Sequence, residues 1–471
     1  MSRTRARIRT LTVWVMCPIV LSGMLGCRTF HYDAEVQSNG ESLYPPLSYD
    51  GRYVAFYSEA TNLVARDTND VGDIFVHDTQ TGMTTRVSVG DKGTQADLES
   101  TFPSLSGNGR YVAFSSSASN LVKNDANRRP DVFVHDRETG VTERVSISST
   151  GEESHGISYT YHPSISSEGD VVVFASNAPN LVPADTNGTF DVFVRDRKAG
   201  TTTLVSVNAD GKQGNGPSLH GVVSGNGRYV AFQSRATNLV PDDTNGAEDV
   251  FVHDRQTGMT VRASADSQGR QADDGSHRPA ISHDGRVVAF SSLAGDLVEG
   301  DTNRSEDVFI HDRETGSTER VNLGLGGRQS GVARSTARDA GDVICCLLST
   351  ACCVIVIIND RKSVVSPDGQ HVAYRSDADD LVQRDTNAYQ DIFVYDRQSK
   401  TTTRVSVGSQ GVQGNRESVH HGVSFDGRFI AFSSKATNLV PNDTNGLSDI
   451  FLHDRQTGTT KRVSVPSRRR Q

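Results

Sequence analysis

The chain has 471 residues, of which 35% are hydrophobic and 22% charged, with 43 glycines and a formal net charge of −9. That acidic balance speaks against a nucleic-acid partner, because holding phosphates calls for clustered lysine and arginine. The glycine content suits a soluble, turn-rich β protein.

The first 27 residues read as an export signal. Arg3, Arg5, Arg7 and Arg9 precede an apolar stretch from Leu11 to Leu25, and Gly26-Cys27 ends it. Met24-Leu25-Gly26-Cys27 resembles the bacterial lipobox, which implies that Cys27 carries lipid and becomes the mature N-terminus. Ordinary secretion and an uncleaved anchor are the alternatives. In the lipoprotein reading, Arg28 after the cysteine implies outer-membrane sorting, since inner-membrane retention uses aspartate there. Cys17 would leave with the signal. The other four cysteines, Cys345, Cys346, Cys352 and Cys353, share one segment, so the remainder of the chain is held by packing and not by bridges.

From about residue 42 onward one unit recurs seven times. Its marker is Asp-x-Asn-x-x-x-Asp, starting at Asp67, Asp125, Asp185, Asp243, Asp301, Asp385 and Asp443, mostly at intervals of 58 residues. Repeats of this length, rich in short strands, predict an all-β fold, a seven-bladed β-propeller of four-stranded antiparallel blades over 28–471. The blades fall at about 42–90, 100–148, 160–208, 218–266, 276–324, 361–408 and 418–466.

The fourth copy shows the pattern. Val222-Val223-Ser224 is a short inner strand, and Gly225-Asn226-Gly227 is a tight turn. Arg228 to Ser234 and Asp249 to Asp254 have the β-branched and aromatic content of strands, and Thr260 to Ser264 forms the fourth. In every copy a serine stands three residues before the turn glycine (Ser224 before Gly227). An aspartate closes the third strand (Asp254), where it caps the next turn through backbone N–H groups. The chain enters at a first strand and leaves after a fourth. Ring closure is therefore expected to rest on side-chain packing alone, as a weak seam.

Antiparallel strands put the short turns on one face and the long loops on the other. Long loops on a rigid scaffold commonly carry binding, which makes the long-loop face the candidate surface. Two features belong to it. The first is the Asp-Thr-Asn-Gly element, whose oxygens at positions one, three and seven are a fragment of a calcium loop. The candidate ligands are Asp185, Asn187 and Asp191, then Asp243, Asn245 and Asp249, and then Asp443, Asn445 and Asp449. The alternative is an Asx-turn whose last aspartate ties down loop N–H groups. No other cofactor is indicated.

The second feature lies seven residues before each turn glycine, where Tyr44, Phe102, His162, His220, Arg278, Lys362 and His420 are expected to ring the mouth of a central channel. Such a ring could meet an anionic ligand or a metal, or be polar because water reaches it. Its residue types resemble the channel-mouth site of propeller lyases acting on oligogalacturonides. The histidines of the Phe-Val-His-Asp pattern (His77, His135, His253, His311, His453) sit in separate blades and read as edge residues.

Between the fifth and sixth copies the interval grows to 84 residues, which places an insertion at 335–360. Its uncharged run, Val343 to Asn359, is short for a membrane span of about 20 residues. A crossing there would also divide the ring, so a protruding strand or hairpin is expected. Three arginines end the chain in what reads as a solvated tail.

Ser366-Pro367-Asp368-Gly369 followed by Asp391-Ile392-Phe393-Val394-Tyr395-Asp396 resembles the repeats of TolB-type, WD40-like propellers over about residues 40 to 466. That family has six blades and a separate N-terminal domain; here there are seven units and no such domain. Nucleophile elbows, phosphate loops and His-Glu-x-x-His are missing from the sequence. The reading is a non-catalytic, periplasmic or outer-membrane-attached propeller that binds an envelope protein or glycan. The alternative is a lyase or hydrolase working on polysaccharide at the channel mouth.

Overall fold

A computed structural model describes residues 36–158, 163–183, 185–303, 305–330 and 363–467. The export signal with Cys27, the ring candidates His162 and Lys362, the insertion at 335–360 and the arginine tail lie outside the described residues.

Each repeat forms one antiparallel sheet of four strands in chain order, and the seven sheets make the expected propeller. In blade four the strands are Ser218–Val223, Tyr229–Ser234, Asp249–Asp254 and Thr260–Arg262. The second and third strands are apolar at almost every position because both faces of a blade are covered by neighbours. Phe232 pairs across the strands with Phe251, ring centroids 5.9 Å apart, and both rings are fully buried. Blade one repeats this with Phe56 and Phe75, and blade five with Phe290 and Phe309. The apolar clusters lie between blades and not within them: Val76 and Ala55 of blade one pack with Val112 and Phe114 of blade two.

The inner strand starts earlier than expected. In blade four it begins at Ser218, and its pairing slips between Leu219 and Val222. The slip is a β-bulge, which hides the first half of the strand from a reading based on alternation. Ser218 Oγ lies 2.8 Å from Ser234 Oγ and pins the start of the strand.

The seam between blades seven and one is built like the other joints, which corrects the expectation of side-chain closure. Ser42 donates its N–H to the Ser448 carbonyl at 2.8 Å, as Ser100 does to Gly72 and Ser276 to Glu248. Thr84 Oγ1 donates to the Val465 carbonyl, as Thr260 does to Val207. Leu47 and Phe56 pack with Ala431 and Leu452 across it. Among the described residues no strand is shared between the two ends, as expected.

The third-strand aspartates cap the turns. Asp254 accepts the Gln256 N–H at 3.0 Å, and it also takes two bonds from Arg228 at 2.9 and 2.7 Å. Of the Phe-Val-His-Asp histidines, expected at edges, His77, His135, His253 and His453 are instead buried and His311 is half-buried. His253 Nδ1 is 2.9 Å from Thr260 Oγ1, and that hydroxyl already donates to the Val207 carbonyl. The imidazole therefore donates from Nδ1, and the pair bridges one blade to the next.

Candidate functional site

The serine that precedes each turn glycine sets up the floor of the central channel. Ser48 Oγ bonds Asp50 and receives the Tyr53 N–H, locking the turn. The residue after that serine is Tyr49, Gly107, Ser167, Gly225, His283, Pro367 and Phe425 in blade order. Among the described residues, seven backbone hydrogen bonds link these turns into a closed circle. Tyr49 donates to Gly107, Asn108 to Ser167, Ser167 to Gly225, Asn226 to His283, His283 to Pro367, Asp368 to Phe425 and Phe425 to Tyr49, at 2.8 to 3.3 Å.

Inside that circle Tyr49 of blade one reaches across the axis, its hydroxyl 3.1 Å from His283 Nδ1 of blade five. Phe425 packs on both, with ring centroids at 5.3 and 6.2 Å. Burial pushes the Tyr49 phenol up to about 12, so it stays protonated. Gly225 makes room for the pair: a Cβ there would sit 2.1 Å from His283 Nδ1 and 2.2 Å from the Tyr49 hydroxyl. The short-turn end of the channel is thus plugged by side chains.

Above the plug, toward the long loops, lies a cavity of about 200 Å³. Its wall is made by the inner strands and includes Tyr44, Pro46, Pro103, His420 and His421. Of the seven ring candidates, five are described, and all five have a left-handed backbone: Tyr44 at φ 56°, Phe102 at 53°, His220 at 51°, Arg278 at 55° and His420 at 39°. In blades two, four, five and seven the residue sits within the slip in inner-strand pairing. A side chain in that conformation costs about 1–2 kcal/mol, and the same cost is borne in at least five blades. Bulges of this kind re-aim side chains beside binding and active sites.

Among the described candidates, the structure brings Tyr44, Phe102 and His420 together. Tyr44 lies between Phe102 and His420, with ring centroids 5.1 and 4.2 Å away, and Tyr57 stands behind it at 6.5 Å. Tyr44 and Phe102 are buried. Burial together with the Glu99 carboxylate, 2.8 Å from its hydroxyl, keeps Tyr57 a neutral phenol. His420 Nδ1 is 3.1 Å from Ser433 Oγ, and His421 Nε2 is 3.0 Å from the Ala373 carbonyl. On the far side Arg278 Nη1 is 3.5 Å from Glu306, which also accepts from His277 at 2.8 Å. The cavity wall carries the Tyr44 ring on blade one and the imidazoles of His420 and His421 on blade seven. Among the described residues no three His, Cys, Asp or Glu side chains are placed to hold a metal.

The Asp-x-Asn elements lie beneath the loops, against the outer strands, and not on the channel. Their asparagines make the Asx-turns: Asn187 Oδ1 accepts from Thr189, Asn245 from Ala247 and Asn445 from Leu447, at 2.9 to 3.0 Å. The final aspartate holds the outer strand with one oxygen, and in blades four and seven its other oxygen takes the amide N–H of the loop asparagine. Asp249 Oδ1 takes the Ser264 hydroxyl at 2.6 Å, and Asp449 takes that of Ser464. An arginine from the outer strand then faces both carboxylates. Arg262 is 3.6 Å from Asp243 and 3.5 Å from Asp249; Arg462 is 3.4 Å from Asp443 and from Asp449. Arg86, Arg144, Arg320 and Arg404 do the same in their blades. Blade three has Leu204 at this position, beside Asp185 and Asp191.

Sequence reading missed the plug, because its residues occupy the most variable position of an otherwise similar turn. It also missed His421 and the arginine partners. The recurrence of Arg nineteen residues after each marker Asp, and its break at Leu204, was the available signal.

No protein-family model and no curated protein matches the chain. Among solved structures it is similar to TolB from Acinetobacter baumannii, with 14% identity, a TM-score of 0.39, and 78% of this chain and 63% of that one covered. It is similar to oligogalacturonate lyase from Vibrio parahaemolyticus, with 13% identity, a TM-score of 0.49, and 88% and 90% covered. It is also similar to a prolyl endopeptidase, with 11% identity, a TM-score of 0.52, and 90% and 50% covered. These are likenesses of fold, and the fold is the β-propeller that the TolB-type repeats implied.

Proposed function

We propose that this chain is a non-catalytic, exported β-propeller of the cell envelope, held there by lipid on Cys27. It binds a protein or glycan partner through its long-loop face, and the axial cavity takes a projecting group of that partner. The observation that carries this reading is the cavity wall, where Tyr44 and His420 are held with left-handed backbones above a plugged channel, Phe102 packing on Tyr44. A preorganised aromatic and imidazole surface of this size suits a planar side chain or a sugar ring. Tyr44→Ala combined with His420→Ala should abolish capture of a partner from envelope extracts while the thermal transition persists. Retained capture by the folded variant would remove the cavity from the function.

A second reading, a lyase or hydrolase on polysaccharide, is favoured by one feature. His420 and Tyr44, two groups able to move protons, are within 4.2 Å of each other ring to ring beside the same cavity. Release of unsaturated oligosaccharide from a polyuronate, lost on His420→Ala, supports this reading over the first.

A further inference from the structure

The repeat breaks its own rule in blade three, and the break concerns charge. In the other six blades two buried aspartates share an arginine. Here Asp185 is 8% exposed and Asp191 fully buried, and the outer strand offers Leu204, which has no hydrogen to donate. Asp185 Oδ2 is buried and accepts no hydrogen bond among the described residues. Two neighbouring carboxylates in a buried place cannot both stay ionised without a positive partner.

The glutamine beside them does not replace the arginine. Gln213 Nε2 donates to Asp185 Oδ1 and Asp191 Oδ2, both at 2.8 Å. Gln271 makes the same two bonds in blade four, at 2.8 and 3.1 Å, with Arg262 present as well. What blade three lacks is therefore the positive charge itself. Leucine ends two carbons past Cβ, far short of a guanidinium, and Leu204 packs sideways into the apolar cluster of Phe174 and Phe193.

We propose that Asp185 and Asp191 of blade three bind a metal cation of calcium's size and charge in the place that the other blades give to arginine. The ligands at hand are the two carboxylates, with water completing the shell, because the Asn187 carbonyl is taken by the Thr189 N–H. Carboxylates already fixed by Ser206 and Gln213 suit calcium's flexible coordination better than magnesium, which demands near-ideal octahedra. Two carboxylates place the affinity with weak extracellular calcium modules, at a Kd of about 10⁻⁴–10⁻³ M. The site is remote from the axial cavity and does not depend on the proposed function.

The test uses the full chain stripped with EDTA and titrated with calcium chloride. Its Tm should rise with calcium and calorimetry should give one site, with magnesium chloride much weaker. Leu204→Arg, which rebuilds the pattern of the other blades, should lose both the binding and the response. Asp185→Asn should lose them too, which keeps the test open if the arginine variant fails to fold. A wild-type Tm and heat that stay flat to several times that Kd would overturn the proposal. So would a calcium response of wild-type size in either variant, which would put the ion elsewhere.

Discussion

Phe425 donates its backbone N–H to the carbonyl of Tyr49 at 2.9 Å, and this bond ties blade seven to blade one at the axis. The equivalent place in blade six holds Pro367, so the backbone there accommodates proline. Phe425→Pro should therefore cost about 1 kcal/mol more than Phe425→Ala in denaturant unfolding, the value of one backbone hydrogen bond. Equal losses would assign the stability to the phenyl ring and not to the bond.

Two glycines with nearly the same backbone separate conformational strain from packing. Gly258 has φ +75° with open space at its Cβ; Gly285 has φ +77° with the Tyr229 ring of the preceding blade 2.1 Å from its Cβ. Gly258→Ala should cost about 1–2 kcal/mol from the left-handed backbone alone. Gly285→Ala should cost clearly more, because the tyrosine that braces the joint must move. Denaturant midpoints of the two variants make the comparison.

Arg462 is 1% exposed and faces two buried carboxylates at 3.4 Å. Arg462→Leu leaves them without a positive partner and should destabilise the chain by about 3–5 kcal/mol. It also gives blade seven the residue pattern of blade three, so a calcium-dependent Tm gained by this variant would support the cation site there.

Stability should fall on acidification in two stages. Burial pushes His135 down to about 4, so the folded chain keeps it neutral where an unfolded imidazole, near 6.5, takes up a proton. That contribution is complete above about 6.5 and is lost as the pH falls toward 4. Burial raises Asp125 and Asp443 to about 6, and these act with the opposite sign over much of the same window. The second stage is cleaner. Two bonds from Arg110, Arg228 and Arg428 hold Asp136, Asp254 and Asp454 well below the usual carboxylate range. Their stabilisation is present above about 4 and lost below it. In Asp254→Asn the fall of Tm below pH 4 should be shallower than in the wild type, and the His135 ring resonances should stay those of a neutral imidazole at pH 5.

Cys27→Ala should move the protein from the detergent phase to the aqueous phase on phase partitioning. An unchanged distribution rejects lipidation of that cysteine.

Repetition made the architecture readable: seven markers, seven turn glycines and seven third strands define the blades before any coordinate is known. The aspartates at the strand ends were equally plain, because a short acidic side chain before a turn has few other uses. The inner strands were not. A residue such as His220, at φ 51°, interrupts pairing in the middle of a strand, and nothing in Leu219-His220-Gly221 announces that it will. The charge pairing of Asp243 with Arg262 spans nineteen residues and an intervening strand, so only the fold brings it together. Of the residues expected to ring the mouth, Tyr44 lies against Phe102 and His420, and Arg278 pairs with Glu306, neighbours that position in the repeat does not name.

The bond from Tyr49 to His283 has a consequence for traffic. A shaft stopped at one end is a socket, so whatever enters among the loops must leave by the same door. Occupancy is then governed from the loop side alone, and a partner seated there would trap or exclude a smaller guest without touching it.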